Sequence, residues 1–297
     1  MANKAYIVGA KRSPIGRFLG GFSRMTAPQI GAQVAKALLD GLKVDRALID
    51  DVQIGMVLQA GAGQNPARQV ALAAGCPTSV SACTVNKVCG SGLQTVMYAD
   101  TAIRAGDVDV VLAGGIESMS QTPFLVREMR GGQKYGSVKL VDSLEFDGLI
   151  NIYDNAIMGA IGDETAAKCG ATRAQQDEFA ATSQQRAAAA ISNGWFADEI
   201  TPIETRPGKA PITTDECVRP ETTADALGML KAVFSERGTV TAGNASQLAD
   251  GAAMTLIASD AGLKKLNAKP MARIVAHATT GRDPREVFLT PIDANRL

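Results

Sequence analysis

A chain of 297 residues with 46% hydrophobic residues, only 4% aromatic residues and 30 glycines can bury a large core, but must build it from aliphatic side chains. Its 30 basic and 30 acidic residues leave no net charge to attract a nucleic acid, and no apolar run is long enough to predict a transmembrane helix. Five cysteines without a CxxC pair argue against a disulfide framework and a zinc site, and fit a reducing cytoplasm.

Lys4–Ala10 reads as a short buried strand, and the start of the chain lacks the long apolar run of a secretory leader. Pro28 opens a helical stretch that ends at Gly41, which is the expected order of the two residues. Val52–Leu58 is a second strand, Pro66–Gly75 a helix, Ser81–Asn86 a third strand, Gly90–Gly106 a helix and Val108–Gly115 a fourth strand. This alternation predicts an α/β layered fold around a mainly parallel sheet. The rhythm breaks after Gly115, and about 118–171 is rich in Gly, Met and charge, as a functional insertion often is. Thr172 and Gln175 make a capping-box pattern before a helix that stops at Asn193-Gly194. A Pro- and Thr-rich run follows, and the α/β pattern resumes at Ala252–Ala258 and Met271–His277.

Cys89 lies between a strand and a helix in Asn86-Lys-Val-Cys-Gly-Ser-Gly92. A thiolate there would be stabilised by unpaired amides and the helix dipole, and the glycines would allow a sharp turn and a close substrate. The competing reading is a buried apolar filler, because cysteine is among the most buried residue types. His277 is the only histidine; on a strand-like run it reads better as a hydrogen-bonded structural residue than as the base for Cys89. Thr239–Ala253 is rich in small residues and carries Asn244 and Ser246, which suits either a ligand-lined loop or a tight turn into a strand. Gly61–Pro66 begins like a dinucleotide fingerprint but has Pro in place of the third glycine, and no P-loop is present.

Gly63–Gln69, Asn86–Gly92, Ala113–Met119 and Thr239–Ala253, in this order and spacing, resemble a thiolase of the acetyl-CoA acetyltransferase type. The resemblance implies a thiolase fold of two βαβαβαββ halves with parallel-rich mixed sheets. It places the N-terminal half at 1–117 plus 250–268, an inserted loop domain at 118–249, and the start of the C-terminal half at 269–297. It makes Cys89 the acyl-accepting nucleophile. It maps Ser246 and Ala242 to the loop along the pantetheine arm, and Leu149, Met158, Arg219 and Leu230 to CoA-contacting positions. It further implies no cofactor beyond CoA as substrate and product, no metal, no nucleic-acid or membrane partner, a cytoplasmic enzyme, and a homodimer or homotetramer. Arg130–Gly136 resembles the family's tetramerisation loop.

The family's Asn-Glu-Ala-Phe, Gly-His-Pro and Cys-x-Gly-Gly-Gly motifs are absent, as if about the last quarter of a family member were missing. Those motifs carry the histidine that activates the nucleophile and a second reactive cysteine, and His277 does not match that histidine. The expectation is therefore a thiolase chain that alone cannot complete condensation or thiolysis, with a large apolar face left open. Ile157, where many acetoacetyl-type members have histidine, leaves the acyl chain length open. The rival reading, from another class, is a non-catalytic CoA-binding or assembly-only fragment; a third is an unrelated cysteine hydrolase, for which no Asp/His set accompanies Cys89.

Overall fold

The computed structural model describes residues 3–297. The chain divides into two compact units, and each is built separately below. The first comprises 1–144, 197–216 and 248–275, and the second 145–196, 217–247 and 276–297. Of the expected insertion 118–249, the pieces 118–144, 197–216 and 248–249 therefore group with the first unit.

The first unit is a seven-stranded mixed sheet between helices. Its main elements are β1 (Tyr6–Arg12), α1 (Ala27–Gly41), β2 (Asp51–Gly55), α2 (Pro66–Ala73), β3 (Ser81–Val85), α3 (Ser91–Ala105), β4 (Val110–Ser118), β5 (Ala249–Ala258), α4 (Asp260–Leu266) and β6 (Ala272–Arg273). The strand order is β6-β1-β5-β4-β2-β3, with Gly16–Arg17 paired to the start of β5. β2 runs parallel to β3 and β4, whereas β5 is antiparallel to both β4 and β1. The central position of β4 explains its unbroken buried run Val110, Val111, Leu112 and Ala113, since a central strand covered by helices has no solvent face.

The two sheet faces are covered unequally. α1 and α2 pack on one face and build the larger core, in which Ile30, Val34 and Leu38 of α1 recur at helical spacing against Ile54, Leu112 and Met254. Each such side chain stabilises the fold by about 1.5–3 kcal/mol on burial. α1 starts where Pro28 fits the first turn and the Gln29 side chain accepts from the Thr26 amide at 3.0 Å. α3 alone covers the other face, through Ala99 and Ile103 on Val111, Ala113 and Ile257. It ends at Gly106, whose φ of 86° closes the helix in the left-handed conformation.

The second unit holds a short hairpin, Ile150–Asn151 with Ala156–Ile157, and the helices α5 (Met158–Cys169), α6 (Arg173–Ser192) and α7 (Ala224–Gly228). The capping box expected at Thr172 and Gln175 is present. α5 was not foreseen, because it buries only Ile161 and so shows little amphipathic signal. The strand expected over Met271–His277 is reduced to β6, which pairs only Ala272 and Arg273 with Ile7 and Tyr6. Met271 and Val275 are exposed, and His277 lies in irregular chain of the second unit rather than on a strand. No described helix is long and apolar enough to cross a membrane.

Candidate active site

Cys89 stands at the carboxyl end of β3, where the chain turns into α3. This is the end of a parallel strand at which open α/β sheets expose ligand-binding groups. The Cys89 side chain is exposed, so the filler reading fails for it; Cys76 is the buried cysteine. Gly90 caps α3 without a side-chain hydrogen bond. The Ser91 amide donates to the Val88 carbonyl at 3.0 Å, and no side chain caps the helix start, so the amides that follow are open to an anion.

The turn before Cys89 is strained and tied. Val88 has a φ of 47°, a left-handed conformation that a β-branched residue rarely adopts. Three bonds hold it there. The Val88 amide donates to Asn86 Oδ1 at 2.9 Å, and the Ser91 hydroxyl donates to the Val88 carbonyl at 2.6 Å. The same Ser91 oxygen accepts from the Lys87 amide at 2.8 Å. Lys87 Nζ donates to Gln94 Oε1 at 2.7 Å, which lays its side chain along α3.

Glycines set the depth of the site. A Cβ on Gly55 would lie 2.4 Å from the Ser91 backbone carbon, so α3 begins in direct contact with the end of β2. Gly92 faces the backbone of β4 at a looser approach, where a Cβ would sit 3.5 Å from Gly115 Cα.

Glu117, near the end of β4, is the acidic group of this region. Its carboxylate accepts from the Val57 amide at 2.9 Å and the Leu58 amide at 3.2 Å. Burial pushes its pKa above the ordinary glutamate value, the two amides oppose that shift, and nearby Asp250 adds to it. Sequence reasoning noted Ala113–Met119 as a motif but assigned Glu117 no role; only the fold shows which amides its carboxylate meets.

Ser246, Ala242, Met158, Leu149, Arg219 and Leu230 all belong to the second unit. The structure brings some of them together. The Met158 amide donates to the Leu149 carbonyl at 2.9 Å across the hairpin. Gly243, next to Ala242, packs so closely on Leu227 and Leu230 that a Cβ would come within 2.4 and 2.6 Å of them. Ala242 and Ser246 are exposed, and the Arg219 amide donates to Gln184 Oε1 at 2.8 Å with its side chain exposed.

Asn244 has an internal task in the 239–247 loop. Its Oδ1 accepts from the Thr241 amide at 2.7 Å, and its Nδ2 donates to Asp177 Oδ1 at 2.9 Å and the Thr239 carbonyl at 3.0 Å. Asp163 organises the preceding turn by accepting from the Thr239 and Val240 amides at 2.7 and 2.8 Å. Asp177 also pairs with Arg173 one turn away, but the loop contacts of both acids escaped sequence reasoning, because Asn244 lies 67 positions from Asp177 and Thr239 76 positions from Asp163. The second unit also holds clefts of about 530 and 250 Å³, lined by charged residues such as Glu164, Lys168 and Arg237; none of the six expected residues lines either. No group of His, Cys, Asp and Glu able to hold a metal occurs among the described residues.

Residues 5–261 match the family described as thiolase, N-terminal domain. The chain belongs to the thiolase family. An acetyl-CoA acetyltransferase of Allochromatium vinosum is 48% identical over an alignment of 298 positions that covers 99% of this chain and 76% of that protein. One of Pseudomonas aeruginosa is 46% identical over 293 residues, 98% of this chain and 75% of the relative. A probable acetyl-CoA acetyltransferase of Escherichia coli is 44% identical over 292 residues, 98% and 74% of the two chains. In this thiolase chain Cys89 belongs to the first unit, whereas its sole histidine, His277, belongs to the second.

Proposed function

We propose that this thiolase is an acyl-CoA C-acetyltransferase, acting by reversible condensation of two acetyl-CoA or by thiolysis of a 3-ketoacyl-CoA. One observation carries the assignment of the nucleophile: Cys89 is exposed on a strained, hydrogen-bonded turn at the uncapped start of α3. The Cys89 thiolate attacks the thioester carbonyl, and the helix-start amides face the charge that gathers there. The carbonyl reforms as the bond to the CoA sulfur breaks, leaving acetyl-Cys89 and CoA thiolate, which takes up a proton. A base then takes a methyl proton from a second acetyl-CoA, and the enolate carbon attacks the acetyl-Cys89 carbonyl, giving acetoacetyl-CoA as the carbon–sulfur bond breaks and the Cys89 thiolate leaves.

In this reading Ser246, Ala242, Met158, Leu149, Arg219 and Leu230 contact CoA, which is substrate and product, and no other cofactor is needed. The enzyme is a cytoplasmic homodimer or homotetramer. A second reading, CoA binding without turnover, is favoured by one observation: the first unit offers Cys89 no histidine. Intact-mass analysis of wild type and Cys89→Ser after incubation with acetyl-CoA separates the two. A single acetyl increment lost in Cys89→Ser is the expected result. Bound CoA with no increment would favour the second reading, and an increment that persists in Cys89→Ser would overturn the choice of nucleophile.

A further inference from the structure

Glu117 is an acid out of its usual company. It lies half-buried near the end of β4, and no basic side chain pairs with it among the described residues. Its cross-strand partner on β5 is Gly251, which has no side chain to meet it. A carboxylate kept there without a cation needs a reason beyond packing.

The hydrogen bonds supply one. The Glu117 carboxylate fixes the Val57 and Leu58 amides. That fixes the Val57 carbonyl, which accepts from Asn86 Nδ2 at 3.3 Å. Orienting that amide group turns Asn86 Oδ1 toward the Val88 amide, 2.9 Å away. Val88 is the strained residue immediately before Cys89. We propose that Glu117 is a positioning residue, which acts through Val57 and Asn86 to hold the Val88 turn and so aim Cys89 at the start of α3.

The relay explains several features together. A left-handed valine persists only where its surroundings over-determine it, and each tie in this chain removes one way for the turn to relax. A carboxylate is the side group that can accept from two neighbouring amides at once. Asn86 is the amide side chain that can accept from one amide while donating to a carbonyl. The inference rests on Cys89 being the reactive thiol, but its test needs neither acetyl-CoA nor turnover.

The experiment is site-resolved alkylation of the full chain with iodoacetamide, read by peptide mass spectrometry. Cys169, exposed in the second unit, is the reference, and buried Cys76 reports unfolding. Glu117→Gln keeps the shape but replaces one acceptor oxygen with a donor. It is expected to slow Cys89 labelling relative to Cys169 by about fivefold, while Cys76 stays protected. Asn86→Ala, at an exposed position, is expected to do the same. The double variant should show little further loss, because both changes break one chain of contacts. An unchanged Cys89 to Cys169 ratio in either folded variant, or full additivity of the two, overturns the proposal. If Glu117→Gln labels Cys76, Asn86→Ala alone decides. Failure of acetylation with an intact alkylation effect would instead count against the proposed function and leave the relay standing.

Discussion

Val88 shows how a single residue can trade stability for placement. With φ at 47° it occupies a region where glycine suffers no steric penalty and valine does. Strain of this kind costs about 1–3 kcal/mol, and the greater freedom of glycine in the unfolded chain returns up to about 1 kcal/mol of it. Val88→Gly is therefore expected to raise unfolding free energy by about 1 kcal/mol in urea titration. The same change frees the turn and should slow alkylation of Cys89. A variant that is both less stable and equally reactive would show that the valine conformation carries neither strain nor function. The direction matters, because an ordinary packing role for Val88 predicts lower stability on truncation, and Val88 is exposed with little packing to lose.

Among the elements, α3 depends on glycines it does not itself contain. Gly55 on β2 admits the Ser91 backbone, and an added methyl would sit 2.4 Å from a carbon that cannot swing away. Gly55→Ala is expected to cost about 1–3 kcal/mol in thermal or urea unfolding, the range of overpacking. It should also disturb Cys89, because α3 must shift to make room. Gly92→Ala places its methyl 3.5 Å from Gly115 Cα, an ordinary contact, and should be tolerated within about 1 kcal/mol. Equal effects of the two substitutions would refute the packing argument. The Cys89 turn and α3 were legible in the sequence, since a strand, a Gly-Ser-Gly step and a helical pattern follow one another within Ser81–Gly106. The Gly55 contact was not, because nothing in Val52–Leu58 says which helix start lies over it. The same limit hid Glu117 and Asp163, whose roles come from amides that topology brings to them. The overlong strand at Met271–His277 failed for a related reason: its apolar residues suggested a strand, but only Ala272 and Arg273 found strand partners.

At the scale of the whole molecule, the sheet presents an unguarded edge. β3 is the last strand in the order and pairs with no strand but β2, although its Ala82 carbonyl accepts from Asn65 Nδ2 at 2.9 Å. Its sequence Ser-Ala-Cys-Thr-Val has no proline and no charge to discourage another strand, and Ser81 and Cys83 are exposed. A free edge of this kind is a template for pairing with a second copy, and a twofold arrangement would satisfy both edges at once. The proposed homodimer gives that edge a partner. Cys83→Lys puts a charge on the edge without touching the Val88 turn, and two such charges would approach each other across a twofold pair. Light scattering coupled to size-exclusion chromatography is expected to show wild type at twice the chain mass or more, with Cys83→Lys shifted toward one chain mass. If the variant keeps the wild-type mass across a dilution series, the β3 edge is not where copies meet. Other exposed apolar positions, such as Phe124 and Met129 before the Arg130–Gly136 segment and Tyr135 within it, would then be the next surface to test.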